Sequence, residues 1–324
     1  MTLQALTSAL LNGRGFAHKR DISDAMQVLQ RSRPAAHAVR IGDDCAAIPD
    51  GDGYLLFAME GFVDDFVTSM PWFSGYCGVM VNVSDIYAMG GRPLAVVDAI
   101  WSAGSDASRA ILEGMAEASS RYGVPVVGGH TNHRSTSSQL AVAILGRAKR
   151  LLTSFDARPG QRLLMAIDLR GAYQEPHPYW NASTSAPAER LRSDLELLPC
   201  LAEDGLCGAA KDISMAGAIG TALMLLECSA VGAQVNLDAI PRPADVDLLR
   251  WLQSFPSFGF VLSVDAQHAD IVCQRFQARG IACADVGNIS ATPQVWLESE
   301  GERALLWDVV KQPFILAPKV TSHA

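Results

Sequence analysis

The stretch that most restricts this 324-residue chain is VNVSDIYAMGG, residues 81–91, which is typical of a buried helix that ends at two glycines. The positions around Asp85 are apolar or small, so most of this helix is expected to be buried, with a carboxylate inside it. Burying a carboxylate is costly unless a partner or a metal compensates its charge. We therefore expect a cation next to Asp85.

Composition and charge exclude several classes of protein. The length is enough for two domains, and 49% hydrophobic with 19% charged residues is typical of a globular protein with a large core. A formal net charge of −8, without any Lys/Arg run, argues against a nucleic-acid partner. The chain has no apolar run of about 18 residues that would span a membrane, and no basic start of a signal peptide.

The cysteines indicate the compartment. All seven are scattered along the chain and form no Cys-x-x-Cys pair, which is typical of buried thiols in a reducing environment. We therefore expect a cytoplasmic protein with no membrane partner.

Apolar runs and helical periodicity alternate along the chain, which predicts an α/β (α+β) fold with helices covering sheets. The expected strands lie at 54–59, 94–101, 124–127 and 139–145, and the expected helices at 75–89, 105–122, 186–202 and 213–228. A Pro/Gly-containing break at 151–161 predicts an N-terminal domain of residues 1–150 and a C-terminal domain of residues 151–324. Roughly the first 25 residues, with two glycines and several basic side chains, are expected to be irregular.

Four acidic residues lie beside predicted buried segments. Asp44 follows a glycine in IGDDCAAI, Glu60 ends a strand, and Asp212 precedes an apolar helix. Together with Asp85 they supply the oxygen ligands with which Mg²⁺ bridges a protein to phosphates. Only one of the adjacent Asp43 and Asp44 is expected to face the site, because neighbouring side chains of an extended chain point in opposite directions.

Each of these acids also has a purely structural explanation. Asp43 or Asp44 could close a turn, and Glu60 could be solvated. Asp212 could cap the helix that follows it. Spacing alone leaves these alternatives open, whereas the cost of burial makes Asp85 harder to explain by structure alone.

A second motif, GGHTN at 128–132, is expected to form a glycine turn that lets a ligand approach the backbone. The chain has no Walker A loop and no Gly-x-Gly-x-x-Gly that opens a helix, so a bound nucleotide would depend on metals and loops. The candidate nucleotide-binding residues are Asn82, which shares a helix face with Asp85, and Gly128, Gly129, His130 and Thr131. The spacing is equally compatible with a His130 that packs locally in a loop and contacts no ligand.

The ordered motifs resemble those of the aminoimidazole ribonucleotide (AIR) synthetase superfamily. They are IGDDCAAI, NVSDIYAMGGRP, VVGGHT, KDISMAGAIG and VGAQVNLDAIP, in that order between about residue 40 and about residue 290. The superfamily includes selenophosphate synthetase, thiamine-monophosphate kinase and a hydrogenase-maturation protein. Three of the stretches are most similar to selenophosphate synthetase.

The resemblance implies a two-domain fold, a homodimer whose N-terminal strands form a shared barrel, and ATP phosphates held by magnesium ions. Carried over by position, the metal carboxylates are Asp44, Glu60, Asp85 and Asp212. The catalytic candidates are His130 and Lys19, the latter at the position of the family's N-terminal lysine.

The sequence departs from selenophosphate synthetase in the segment GRGFAHKRD, since no cysteine precedes Cys45. Glu60 stands where the family has Asp, and His130 stands where thiamine-monophosphate kinase usually has Asp. The expected function is a Mg-ATP-dependent phosphotransferase or synthetase that activates a small-molecule acceptor. The alternatives are a kinase similar to thiamine-monophosphate kinase and a non-catalytic nucleotide-binding partner protein. The segment around Lys19 is expected to be mobile and to close over phosphates.

Overall fold

The computed structural model describes residues 1–29 and 39–316. The helices are α1 Leu3–Leu11, α2 Arg14–Leu29, α3 Asp64–Ser69, α4 Pro71–Ala88, α5 Ser105–Tyr122, α6 Ala188–Leu195, α7 Leu197–Glu203, α8 Gly217–Cys228, α9 Leu248–Leu252 and α10 Ala269–Gln277. The strands are β1 Ala46–Asp50, β2 Gly53–Phe62, β3 Arg92–Trp101, β4 Val126–Asn132, β5 Gln139–Ala148, β6 Arg162–Ile167, β7 Ala172–Tyr173, β8 Trp180–Asn181, β9 Ala209–Asp212, β10 Gly232–Asn236, β11 Gly259–Val264, β12 Ala282–Ser290, β13 Gln294–Ser299 and β14 Glu302–Asp308. The expected α/β fold is confirmed.

The chain divides into two compact units. Unit A comprises residues 44–151 and 183–204, and unit B comprises residues 1–43, 152–182 and 205–324. The domains predicted from the sequence were residues 1–150 and 151–324. The observed units are discontinuous because side chains of α1 and α2 pack in the core of unit B, while residues 183–204, which contain α6 and α7, belong to unit A.

Unit A is a five-stranded sheet with helices on one face. Its strand order is β1-β2-β5-β3-β4, and β3 and β4 are its parallel pair. Helix α4 is buried along nearly its whole length, as expected from its apolar sequence, and packs on the sheet and on α5. The two helices approach closely because Gly75 of α4 and Gly114 of α5 leave no room for a side chain beside the facing backbone.

Unit B contains a seven-stranded sheet in the order β14-β13-β10-β12-β6-β11-β9. Strands β6 and β11 are buried on both faces, so their sequences are almost continuously apolar. Helix α8 is likewise buried at every position. Its sequence, GAIGTALMLLEC, lacks a polar face for this reason.

The N-terminal residues are helical, so the expectation of an irregular segment was wrong. Thr2 caps α1 by accepting a hydrogen bond from the Ala5 backbone N–H, and the apolar side chains of α1 and α2 enter the core of unit B. The buried apolar residues are Leu3, Leu6, Leu10, Phe16 and Met26. Gly15 is required where α2 meets unit B, since a side chain there would collide with the Met215 backbone. Tertiary packing has overridden weak local helix signals.

A buried carboxylate holds the last described residues of unit B. Glu227, at the end of α8, is 4% exposed and accepts backbone hydrogen bonds from Phe314, Ile315 and Leu316 at 2.5, 2.8 and 3.3 Å. Burial raises the pKa of the Glu227 carboxyl above its ordinary value, although these three N–H groups lower it.

This raised pKa predicts a pH dependence of stability. A folded-state pKa above the unfolded value gives stability that is complete below the unfolded pKa and is lost as the pH rises through the folded pKa. The loss of stability therefore begins at about pH 4.5, the ordinary pKa of a glutamate carboxyl. As the pH rises from 4.5 towards neutrality, the melting temperature of the wild type is expected to fall relative to that of Glu227→Gln. Parallel melting profiles would contradict this assignment.

No helix in the described part of the chain is both long and apolar enough to cross a membrane.

Candidate metal and nucleotide site

Two carboxylates come together in unit A. Asp85 lies on α4 with 4% of its surface exposed, and one of its carboxylate oxygens lies within 4.8 Å of one of Asp44. Asp44 lies in the bend just before β1 and is half-buried. Two like charges this close, one of them buried, destabilise each other unless a cation lies between them. Asp44 and Asp85 therefore form a candidate cation site.

The neighbouring Asp43 has a different role. Its carboxylate accepts hydrogen bonds from the backbone N–H and the hydroxyl of Ser154 at 2.8 and 2.6 Å. Ser154 itself is tied to Ser229, whose hydroxyl donates to the Ser154 carbonyl at 2.7 Å. Asp43 thus hydrogen-bonds within unit B, whereas Asp44 is the acid that lies close to Asp85.

Two polar atoms on the same helix suit an oxygen-coordinated cation or a nucleotide. Asn82 is fully buried and donates its amide to the Gly78 carbonyl at 2.8 Å, while its Oδ1 accepts no hydrogen bond within the described residues. Ser84 Oγ is also buried and lacks a hydrogen-bond partner in the same part of the chain. Buried oxygens without a hydrogen bond, on the helix that carries Asp85, fit Mg²⁺, which takes oxygen ligands and retains some waters.

Asp212 lies in unit B, at the end of β9, and is 1% exposed. The alternative that it caps the next helix was wrong, because α8 begins at Gly217 with Ala216 at its N-cap. The Ser257 hydroxyl donates to Asp212 Oδ2 at 3.3 Å. Ser257 has a φ of 49°, which is strained for a residue with a side chain and which sequence patterns did not predict.

Glu60 lies within β2 rather than at its end, and it is half-buried. Glu60 and Asp98 both pair with Val142 of the central strand β5, so the two acids lie on one face of the sheet, on either side of that strand. Burial raises the pKa of Asp98. Asp98 was missed by the sequence reasoning, because an acid inside the apolar run LAVVDAIW carries no motif.

The GGHTN stretch forms the second half of β4, so the predicted glycine turn was wrong. Gly128 to Asn132 pair in parallel with Val97 to Trp101 of β3. Gly129 lies opposite Asp98, and a side chain at this glycine would collide with the Asp98 carboxylate. The motif therefore allows Asp98 to lie against the β4 backbone. His130 and Thr131 are exposed, and the His130 ring lies 6.0 Å from that of Trp101.

Lys19 lies on α2 in unit B and is half-buried, so it is held on a helix and not in a loop. A second lysine, Lys211, was missed by the sequence reasoning. It precedes Asp212 in β9 and is only 4% exposed, which is rare for a lysine. The Lys-Asp order within KDIS was the available signal.

Comparison with known proteins identifies the family. Residues 42–148 match the family described as "AIR synthase related protein, N-terminal domain", and residues 171–298 match the corresponding C-terminal domain. The chain belongs to the AIR synthase-related family. This agrees with the resemblance inferred from the ordered motifs.

Two relatives match this chain over regions of very different length. An uncharacterized protein of Synechocystis sp. is 52% identical over 301 residues, which are 92% of this chain and 94% of the relative. A thiamine-monophosphate kinase of Pyrococcus abyssi is 35% identical over 137 residues, or 40% of this chain and 43% of the kinase. The likeness to the kinase is therefore local.

A solved structure confirms the fold. PurL of Thermotoga maritima, complexed with ATP, superposes with a TM-score of 0.76 at 20% identity, over 97% of this chain and 52% of PurL. This AIR synthase-related chain thus spans about half the length of that structural relative.

Proposed function

We propose that this protein is a magnesium- and ATP-dependent phosphotransferase or synthetase that activates a small-molecule acceptor. The observation that carries the proposal is the pair of carboxylates, Asp44 and buried Asp85, within 4.8 Å of each other on elements that match the family's N-terminal domain. The ATP in the structure of PurL and the kinase activity named for the Pyrococcus relative support it.

In this proposal each candidate residue has a role. Asp44, Glu60, Asp85 and Asp212 bind magnesium, and Asn82, Gly128, Gly129, His130 and Thr131 contact the nucleotide. Magnesium, when bound, would neutralise charge on the phosphates of ATP. Lys19 and His130 are the catalytic candidates, because a cation and an imidazole can stabilise charge on a phosphoryl group and move a proton at an acceptor. Most of the catalysis would then come from positioning and charge neutralisation.

A kinase reaction on a phosphorylated small molecule is the second candidate. The 35% identity to thiamine-monophosphate kinase favours it, although the match covers 40% of this chain. A selenophosphate-synthetase-like reaction would need a nucleophile other than an N-terminal cysteine, since Cys45 is the first cysteine of the chain. None of the seven cysteines forms a disulfide, which is compatible with the cytoplasmic location that we propose.

Phosphorus-31 NMR of ATP incubated with the protein and magnesium tests the proposed activity. Consumption of ATP is expected to increase when the correct acceptor is added, with thiamine monophosphate and selenide as the first two to be tried. The Asp85→Asn variant is the matched control and should be inactive under the same conditions. Tight nucleotide binding without ATP consumption, across a broad set of acceptors, would instead support a non-catalytic partner protein.

We also propose that unit A dimerises through the outer face of its sheet. Phe57, Met59, Val97 and Leu145 are 51%, 68%, 42% and 37% exposed. The strand register places Phe57 beside Leu145, and places Met59 and Val97 on either side of Ala143, so these side chains share one face. Contiguous exposed apolar surface of this kind commonly marks an association site. A second copy of the same face would complete the barrel expected from the family.

Charged substitutions on this face test the dimer. Met59→Glu is expected to convert a dimer into a monomer, because a carboxylate would be buried in an apolar interface. Sedimentation velocity at micromolar concentration measures the change. Val310→Glu is the control, since Val310 is 70% exposed and lies in unit B. A monomeric wild-type protein would refute the proposal.

A further inference from the structure

His133, the residue directly after β4, is held by two serines. Its Nδ1 lies 3.0 Å from the hydroxyl of Ser102 and 3.5 Å from that of Ser108. Ser102 is fully buried and Ser108 is 1% exposed, whereas the histidine itself is exposed. The buried serines therefore orient an imidazole whose other side faces outward.

The hydrogen bonds of the two serines determine which histidine nitrogen carries a proton. Ser102 donates its hydroxyl proton to the Gly104 carbonyl at 2.8 Å, and Ser108 donates its own to the Ser105 carbonyl at 2.9 Å. A hydroxyl has one proton, so each serine can only accept from His133. With both hydroxyl protons on these carbonyls, Nδ1 is the donor, and the neutral form of the ring then has Nε2 as a hydrogen-bond acceptor.

His133 borders an open cavity of about 380 Å³ along α5, with Ser105, Ser108, Arg109 and Glu113 in its lining. Arg109 forms an ion pair with Asp106 at 3.8 Å, but both side chains are largely exposed. Exposed pairs at this distance contribute little, so the guanidinium can turn to a ligand at small cost. The cavity lining thus includes an arginine, a glutamate and a histidine, together with the apolar Leu112 and Ala116.

The cavity lies where ligands commonly bind in α/β sheets. β3 and β4 are parallel, so their carboxyl ends meet, and the Ser102 backbone N–H donates to the Asn132 carbonyl at 2.9 Å. Crevices outside the carboxyl ends of parallel strands are preferred ligand sites. His130 lies in β4, three residues before His133.

We propose that this cavity binds a small amino acid or hydroxy acid. Arg109 binds the acidic group of the ligand, and His133 Nε2 accepts a hydrogen bond from its hydroxyl or amine, with Glu113 as a second acceptor. The inference goes beyond the proposed function, since it assigns no phosphoryl transfer to this ligand. Binding itself requires neither ATP nor magnesium, so failure here and failure of the proposed activity can be told apart.

Nitrogen-15 NMR of the histidine side chains, without ATP or magnesium, tests the proposal. The His133 ring is expected to carry its proton on Nδ1, and its Nε2 signal should shift on addition of L-serine or L-lactate at millimolar concentration. Acetate and glycerol, which each lack one of the two groups, should cause smaller shifts. A proton on Nε2, or no response to either L-serine or L-lactate, would overturn the proposal.

Substitution separates this site from a general effect on folding. His133→Asn keeps a donor near the position of Nδ1 and removes Nε2, so it should weaken binding of the responding acid by at least about tenfold at unchanged melting temperature. His268→Asn, in unit B, is the matched control and should bind normally. Equal affinity of His133→Asn and the wild type would also refute the assignment.

Discussion

Asp85→Asn is expected to weaken the binding of magnesium-nucleotide by roughly 100-fold or more, because a buried carboxylate ligand is lost. The apo protein should remain folded and can even be stabilised, since the change removes a buried charge close to Asp44. The stabilisation that magnesium-nucleotide gives to the wild type should therefore be absent from the variant. Thermal-shift titration with ADP and magnesium measures both effects in one experiment.

The matched control for Asp85 is Asp194→Asn. Asp194 is a second buried acid of unit A, at 8% exposure on α6, and has no role in the proposed site. Its variant should keep the shift with magnesium-nucleotide, whatever its own melting temperature. If Asp85→Asn retained the affinity of the wild type, its assignment as a metal ligand would be wrong.

Lys19→Ala is expected to reduce turnover of ATP by about 100-fold while nucleotide affinity changes little, because a contact to the transferred phosphate strengthens mainly in the transition state. Lys19→Arg should restore part of the rate if charge is what matters. Lys149→Ala, an exposed lysine of unit A, is the control and should be fully active. Unchanged turnover in Lys19→Ala would remove the catalytic role of this lysine.

Deletion of the N-terminal segment is not a suitable test of Lys19. Residues 1–20 contain α1 and the start of α2, whose Leu3, Leu6, Leu10 and Phe16 are buried in unit B. Exposing each of these side chains costs about 1.5–3 kcal/mol. We therefore expect the truncated protein to unfold at a much lower temperature, whatever Lys19 does.

The sequence predicted those features that depend on local pattern. The burial of Asp85 followed from the apolar periodicity of α4, and the fold class followed from the alternation of strands and helices. The ordered motifs were sufficient for the family. In each case, the information lies within a short stretch of chain or in the order of such stretches.

The features that were missed depend on contacts between distant residues. The role of Asp43 is shown only by its hydrogen bonds to Ser154, which lies 111 residues away. GGHTN forms a strand in spite of its two glycines because β3 pairs with it. Helix α2 is stabilised because Phe16 packs in the core of unit B. Asp98 and Ser257 carry no motif. Only the fold shows that Asp98 shares a sheet face with Glu60 and that Ser257 donates a hydrogen bond to Asp212.

The central claim is that Asp44 and Asp85 bind a divalent cation through which a nucleotide is held. Calorimetric titration of ADP into the wild-type protein tests this claim most directly. The titration is run once with excess magnesium and once with EDTA. We predict saturable binding with magnesium and a loss of affinity of at least about 100-fold in EDTA. Equal affinity under the two conditions would contradict the claim.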